Sequence, residues 1–118
     1  MKDFEKLYNE KWSDWKSFPD PRKGGYLNAP FGSGVYQLRN NKINKYVLFG
    51  TSKNIAYRMS SLLPAPFGTG IRKNKDKSNY ILNNIRDIEY RTMPFIDNEE
   101  AKRFENYIKH REEYLFNL

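Results

Sequence analysis

The chain has 118 residues, which is enough for one domain with its own hydrophobic core and too few for two. It contains no cysteine, which excludes disulfides and thiolate chemistry. No apolar run approaches the roughly 18 residues of a membrane span, which excludes a transmembrane helix. The charged N-terminus lacks a signal-peptide pattern, so we expect a cytoplasmic protein. The net charge of +7 favours a polyanionic partner such as nucleic acid, although a basic surface without a partner would have the same composition.

The first part of the sequence predicts a helix, a loop and a β-hairpin. Aromatic and aliphatic side chains recur at helical spacing over residues 3–18, which predicts an amphipathic helix. Residues 19–34 are rich in proline and glycine and predict a structured loop. The strand-like runs 35–38 and 45–50 flank an asparagine-rich turn at 40–44, and this pattern is typical of a hairpin.

The middle of the sequence predicts two helices separated by a basic loop. The hydroxyl of Thr51 or Ser52 is expected to cap a helix that runs to about residue 63, where prolines end it. The loop covers residues 64–77, and a short helix follows at roughly 77–86.

A third strand and a final helix complete the predicted elements. Residues 88–93 have strand character, and Asp97 or Asn98 is expected to cap a helix that runs to about residue 115. The whole order predicts an α+β domain in which helices flank a three-stranded, mainly antiparallel sheet. Residues 33–118 form the main unit, and residues 1–32 add an N-terminal helix and a Gly/Pro-rich loop packed on its core.

An ordered set of short segments carries the functional signal. Gly34-Val35-Tyr36 begins the first hairpin strand, and Leu48-Phe49-Gly50-Thr51-Ser52 ends the second. Arg58 follows in the next helix, and Glu105 stands in the last helix, twelve residues before Asn117. This set resembles the GIY-YIG nuclease superfamily over about residues 33–118, with an extra N-terminal helix. The resemblance implies a small GIY-YIG-like nuclease domain.

The resemblance also implies a reaction and its residues. The chain is expected to be a divalent-metal-dependent endonuclease that hydrolyses phosphodiester bonds, of DNA in preference to RNA, with Mg²⁺ or Mn²⁺ as the cofactor. Tyr36 is the candidate general base, and Glu105 the metal ligand. Arg58 would stabilise the transition state, because its charged planar fork matches the non-bridging oxygens of a phosphate.

Two positions depart from the family pattern. Leu48 replaces the tyrosine of the second tripeptide, and Leu62 stands where a histidine is often found. A catalytically impaired nucleic-acid-binding module on the same fold is therefore the first alternative. A protein-interaction domain is the second, with the N-terminal helix and the loop from Gly24 to Pro30 as its surface.

Two glutamates compete for the metal-binding role. Glu105 lies at the edge of the last helix's apolar stripe, which consists of Ala101, Phe104, Ile108 and Leu115. Glu112 lies seven residues further along the same edge. We favour Glu105 because of its spacing to Asn117. A carboxylate that is only solvated or paired stays the alternative.

Tyr46 is a further catalytic candidate. It stands two residues before Leu48, and the period of two in a strand would place both side chains on one face. Its phenol could then supply the hydroxyl that Leu48 lacks, or it could cap the core beneath the site.

Basic residues after the hairpin are candidates for backbone contacts with nucleic acid. They lie at the start of the second helix and in the basic loop, and comprise Lys53, Arg72, Lys73, Lys75 and Lys77. A solvated loop without a partner is the alternative for this run. The sequence does not predict an oligomeric state.

Overall fold

The computed structural model describes residues 3–20, 32–60, 62 and 75–116, and every structural statement below refers to these residues. Its helices and strands are α1 (Phe4–Glu10), β1 (Lys16–Ser17), β2 (Gly34–Asn40), β3 (Lys45–Ser52), α2 (Ile55–Ser60), α3 (Lys75–Asn83), β4 (Ile88–Pro94) and α4 (Asn98–Arg111). A 3-10 turn at Ile85–Asp87 joins α3 to β4. None of the helices in these segments has the length and apolar character that crossing a bilayer requires.

The strands form a four-stranded antiparallel sheet in the order β1-β4-β2-β3. The central strand β2 pairs with β3 in the predicted hairpin and with β4 on its other side. The predicted α+β class and hairpin are therefore confirmed. The predicted sheet is one strand short, because β1 was not foreseen.

The N-terminal helix ends well before residue 18. Asp3 caps α1 through its side chain, which accepts a hydrogen bond from the Lys6 amide, and the helix stops at Glu10. The following segment runs extended beside β4: the Ser13 amide donates to the Thr92 carbonyl at 2.9 Å, and the Phe18 amide donates to the Ile88 carbonyl at 2.9 Å. The prediction of helix over 11–18 is wrong because this segment forms backbone hydrogen bonds with the otherwise open edge of β4. The spacing of apolar residues along the segment does not indicate such long-range pairing.

The side chains of β2 point alternately to the two faces of the sheet. The face carrying Val35 and Phe49 packs against α4 and α1, and we call it the α4 face. The face carrying Tyr36 and Leu38 packs against α2 and α3, and we call it the α2 face. Each face holds its own hydrophobic cluster, so the sheet is covered on both sides.

A β-bulge interrupts the alternation in β3. Leu38 pairs with Leu48 but Arg39 pairs with Tyr46, so Val47 is the extra residue. As a result Leu48 lies in the cluster of the α2 face, while the ring of Tyr46 contacts Tyr114 beside α4. The expectation that Tyr46 and Leu48 share one face is wrong for this reason.

Helix α4 begins as predicted and ends earlier. The Asp97 side chain caps it by accepting from the Glu99 amide at 2.9 Å. After Arg111 the chain becomes extended, and the amides of Leu115 and Phe116 donate to the Tyr46 and Val47 carbonyls at 3.1 and 3.0 Å. The tail thus pairs with the edge strand β3 instead of continuing the helix. Leu115 is 44% exposed and does not belong to the apolar stripe.

The predicted boundaries between 51 and 86 also shift. Strand β3 extends to Ser52, whose hydroxyl accepts from the Asn54 amide at 3.0 Å, and α2 begins only at Ile55. Helix α3 begins at Lys75, so the prediction of loop is wrong for residues 75–77. Residues 63–74 and the Gly24–Pro30 loop lie outside the described residues. The division of the chain at residue 32 stays a prediction.

An arginine clamp holds the N-terminal segment on the α4 face. The Arg91 guanidinium lies 4.3 Å from the Trp12 ring centroid and 4.5 Å from that of Trp15. Its Nε donates to the Gln37 amide oxygen at 2.7 Å, and the Gln37 amide nitrogen donates to the Tyr114 hydroxyl at 2.7 Å. Gln37 is fully buried, so these bonds satisfy an amide that would otherwise be costly.

We expect Arg91→Ala to lower the free energy of unfolding by about 2–4 kcal/mol, because it removes the stacking on two indoles and leaves a buried amide oxygen without its donor. The exposed Arg86 is the matched control, and Arg86→Ala should cost less than about 0.5 kcal/mol. Urea unfolding measures both values. Equal losses in the two variants would contradict the clamp.

Candidate functional site

The site begins with a contact between two paired residues of the hairpin. Tyr36 on β2 pairs with Gly50 on β3 and is fully buried. A Cβ atom at residue 50 would overlap the ring and hydroxyl of Tyr36. The phenol therefore lies directly over the backbone of the edge strand, in space that only a glycine leaves open.

A second glycine brings the next helix close. A Cβ atom at Gly34 would overlap the Met93 carbonyl oxygen and would collide with the Ile55 side chain. This close approach lets the first residue of α2 pack on the start of β2. Arg58 follows Ile55 by three residues and lies on the same side of α2.

Arg58 and Glu105 both act on the Tyr36 phenol. Burial raises the pKa of Tyr36 above its ordinary value; the positive charge of Arg58 opposes this shift, and the negative charge of Glu105 adds to it. The Tyr36 hydroxyl makes no hydrogen bond of regular geometry with the described residues. Arg58 on α2 and Glu105 on α4 thus both lie near enough for their charges to influence the Tyr36 phenol.

Glu105 occupies the helix edge that its sequence position predicts. Its neighbour Phe104 is buried in the core, whereas its own side chain is 18% exposed. The Oε1 atom lies 3.5 Å from the Lys109 ammonium, one turn further along α4. The carboxylate is therefore partly desolvated and still accessible from one side.

Glu112 belongs to a different cluster. The Tyr8 hydroxyl donates to its carboxylate at 2.9 Å, and Arg111 Nε lies 3.3 Å away. These partners lie on the α4 face, and Glu112 itself follows the last residue of α4. The two competing glutamates thus lie in different surroundings, and Glu105 is the one whose charge raises the pKa of Tyr36.

The structure places Tyr46 away from Tyr36, in the cluster of Tyr8 and Tyr114. Its hydroxyl lies 3.1 Å from the Tyr8 hydroxyl, in the same cluster as Glu112. Because the bulge at Val47 turns it to the α4 face, it does not reach the position that Leu48 occupies. Leu48 and Leu62 are both buried in the same cluster as Tyr36, so the two positions that depart from the family pattern serve as core.

The basic candidates divide into three groups. Lys53 is exposed at the junction of β3 and α2. Lys77 is partly buried in the first turn of α3, and both burial and the charge of Arg58 lower its pKa. Lys75 begins α3, while Arg72 and Lys73 lie outside the described residues. Asn117, whose spacing to Glu105 favoured that glutamate, also lies outside them.

The sequence prediction places Lys77 where the basic loop meets the short helix. In the structure it lies inside α3, and the charge of Arg58 lowers its pKa. Lys77, Ile81 and Ile85 recur at intervals of four, and both isoleucines are buried. This spacing is the signal that predicts a helix face running from the core to Lys77.

The donor set was tested against a divalent metal. Within the parts of the chain that the structure describes, no three His, Asp or Glu side chains lie together. A cage made only of protein ligands is therefore not present in them. One accessible carboxylate does suit Mg²⁺, which keeps several waters and takes further ligands from substrate phosphates. Glu105 fits a site of this kind.

Comparisons of the chain with protein-family models, with curated proteins and with solved structures give no match.

We expect Gly50→Ala to destabilise the fold by about 1–3 kcal/mol, because the new methyl group collides with the Tyr36 ring. Combined with Tyr36→Leu, the same substitution should cost at least about 1 kcal/mol less, since the ring is gone. A double-mutant cycle in urea measures the coupling. Additive costs would contradict the contact.

Proposed function

We propose that this chain is a divalent-metal-dependent endonuclease of the GIY-YIG type, which hydrolyses phosphodiester bonds of DNA in preference to RNA. One observation carries the proposal: Arg58 and Glu105, selected with Tyr36 by their order in the sequence, come from two different helices, and the charges of both act on the buried Tyr36 hydroxyl. A base, a cation and a hard metal ligand in one place are the parts that phosphodiester hydrolysis needs.

Arg58 and Glu105 have different electrostatic roles in this proposal. The guanidinium of Arg58 binds the non-bridging oxygens of the scissile phosphate, and its fixed positive charge becomes more favourable as negative charge develops there. The carboxylate of Glu105 holds Mg²⁺ or Mn²⁺. When bound, the metal supplies positive charge that stabilises the leaving oxygen.

Tyr36 positions and deprotonates the attacking water. Its buried hydroxyl has no hydrogen bond within the usual distance and angle limits to the described residues, although a contact with Arg58 acts to lower its pKa. Because burial raises its pKa, the phenolate is a minor form at neutral pH. The positive charges that gather at the site, starting with Arg58, favour the ionised form and make the proton transfer possible.

Charge supports nucleic acid as the substrate. The chain carries 21 Lys and Arg against 14 Asp and Glu. Lys53 is exposed at the β3–α2 junction, two residues before the helix that carries Arg58. Binding of a phosphate backbone to such a surface releases condensed counterions, which gives a steep dependence on salt.

A nucleic-acid-binding module without cleavage is the second candidate. Leu48 and Leu62 are buried core residues, so the polar groups of the family pattern are absent from both positions. A nicking assay on supercoiled plasmid with Mg²⁺ or Mn²⁺, with EDTA as the control, separates the two candidates. Nicking that requires metal supports the nuclease, and salt-dependent binding without nicking supports the module.

We expect Glu105→Gln to reduce metal-dependent nicking by about two orders of magnitude or more. The amide of glutamine has nearly the same shape as the carboxylate, but it is neutral and therefore a poor ligand for Mg²⁺. Thermal unfolding should change little. Glu112→Gln is the matched control and should leave the rate unchanged, since Glu112 belongs to the Tyr8 cluster. A loss confined to Glu112→Gln would transfer the metal role to that residue.

We expect the rate of cleavage to rise with pH through the neutral range, roughly tenfold per pH unit and without a plateau below about pH 10. The sign follows from Tyr36: its pKa is raised, so the ionised base becomes more populated as pH increases. Single-turnover rates measure the profile. Tyr36→Phe should be slow and independent of pH, whereas a wild-type plateau near pH 7 would exclude Tyr36 as the base.

A further inference from the structure

Glu105 and Lys109 lie one turn apart on the same side of α4. The Lys109 ammonium is 3.5 Å from the Glu105 Oε1 atom, and the side chains of lysine and glutamate are 46% and 18% exposed. Residues four positions apart on a helix are neighbours on its surface, and glutamate before lysine is the favourable order for such a pair. A half-exposed ammonium therefore already contacts one oxygen of the carboxylate.

This ion pair is looser than two others in the described segments. Arg39 Nη2 lies 2.8 Å from Glu89, and Arg111 Nη1 lies 2.6 Å from Glu5. An ammonium at 3.5 Å on a half-exposed side chain is held weakly, because water screens the attraction and the pairing costs rotamer freedom of the lysine. The ammonium of Lys109 can therefore leave the carboxylate at little cost.

The charge of Lys109 opposes a second cation even after the ion pair has opened. Lysine carries a compact point charge on a flexible stem, and here the stem begins only one turn from Glu105. Two positive charges within a few ångströms repel each other even in water, and the repulsion doubles when one of them is divalent. Lys109 thus acts against a divalent metal in two ways, as a competitor for the same oxygen and as a like charge nearby.

We propose that Lys109 sets the metal affinity of the site by competing with the divalent cation for the Glu105 carboxylate. The inference rests on the proposed function, since it takes Glu105 as the metal ligand. In the free protein Lys109 partly neutralises the carboxylate and keeps its affinity for metal low. Because Mg²⁺ takes further ligands from substrate phosphates, a site weakened in this way retains metal firmly only when a phosphate is bound as well.

The test compares Lys109→Gln with Arg103→Gln, which removes the same charge from an exposed residue of the same helix, about 160° around its axis from Glu105. Binding of Mn²⁺ is measured without DNA, from the electron paramagnetic resonance signal of the free ion. Lys109→Gln should lower the dissociation constant for Mn²⁺ by about three- to tenfold, of which roughly twofold comes from the lost ion pair and the rest from the lost repulsion. Arg103→Gln should change the constant by less than about twofold, and Lys109→Arg should resemble the wild type.

Two further measurements distinguish competition at Glu105 from a general effect of charge. In a Glu105→Gln background, Lys109→Gln should bring no tighter binding of Mn²⁺, because the carboxylate for which Lys109 competes is gone. Raising the ionic strength to about 1 M shortens the Debye length to about 3 Å and should reduce the difference between the wild type and Lys109→Gln. A gain in affinity that persists without Glu105 would overturn the competition.

The outcomes separate this inference from the proposed function. If the chain does not nick DNA but Lys109→Gln binds Mn²⁺ more tightly through Glu105, the competition stands and the nuclease fails. If the chain nicks DNA but Lys109→Gln and Arg103→Gln bind Mn²⁺ alike, the nuclease stands and the competition is overturned. Absence of measurable Mn²⁺ binding by Lys109→Gln overturns it as well.

Discussion

The Tyr36 ring lies over the backbone of Gly50, and this contact sets the geometry of everything around it. Because no side chain stands at residue 50, a fully buried phenol can lie over the edge strand instead of packing inside the sheet. In that position the charges of Arg58 on α2 and of Glu105 on α4 both act on the hydroxyl. The same burial that fixes the ring raises the pKa of its hydroxyl. Precise placement and a weakly acidic phenol are therefore two consequences of one packing arrangement.

The two faces of the sheet do different work. The α4 face is a dense set of aromatic rings and polar groups, in which Gln37 and Arg91 satisfy each other and hold the N-terminal segment in place. Its polar atoms largely form hydrogen bonds with one another, and both Glu112 and Tyr46 contact the Tyr8 hydroxyl in this way. The α2 face has an apolar centre, and its polar groups lie at the rim around Tyr36. Tyr36 lies on this second face and the charges of Arg58 and Glu105 act on its phenol, which is why the proposed chemistry is placed there.

The sequence by itself determined the α+β class, the hairpin, the strand at 88–93 and the Asp97 cap, because these depend on local periodicity, caps and turns. The candidate set of Tyr36, Arg58 and Glu105 came from a resemblance of short segments and not from these local rules. Only the tertiary structure decided two further features: the strand β1, and the bulge at Val47 that turns Tyr46 to the α4 face. Each of these is set by pairing or packing between segments that are distant along the chain. An open sheet edge can pair with any extended backbone segment that lies beside it. A single extra residue in a strand moves the side chains before it to the opposite face of the sheet. Such long-range choices leave no mark on the local pattern of residues.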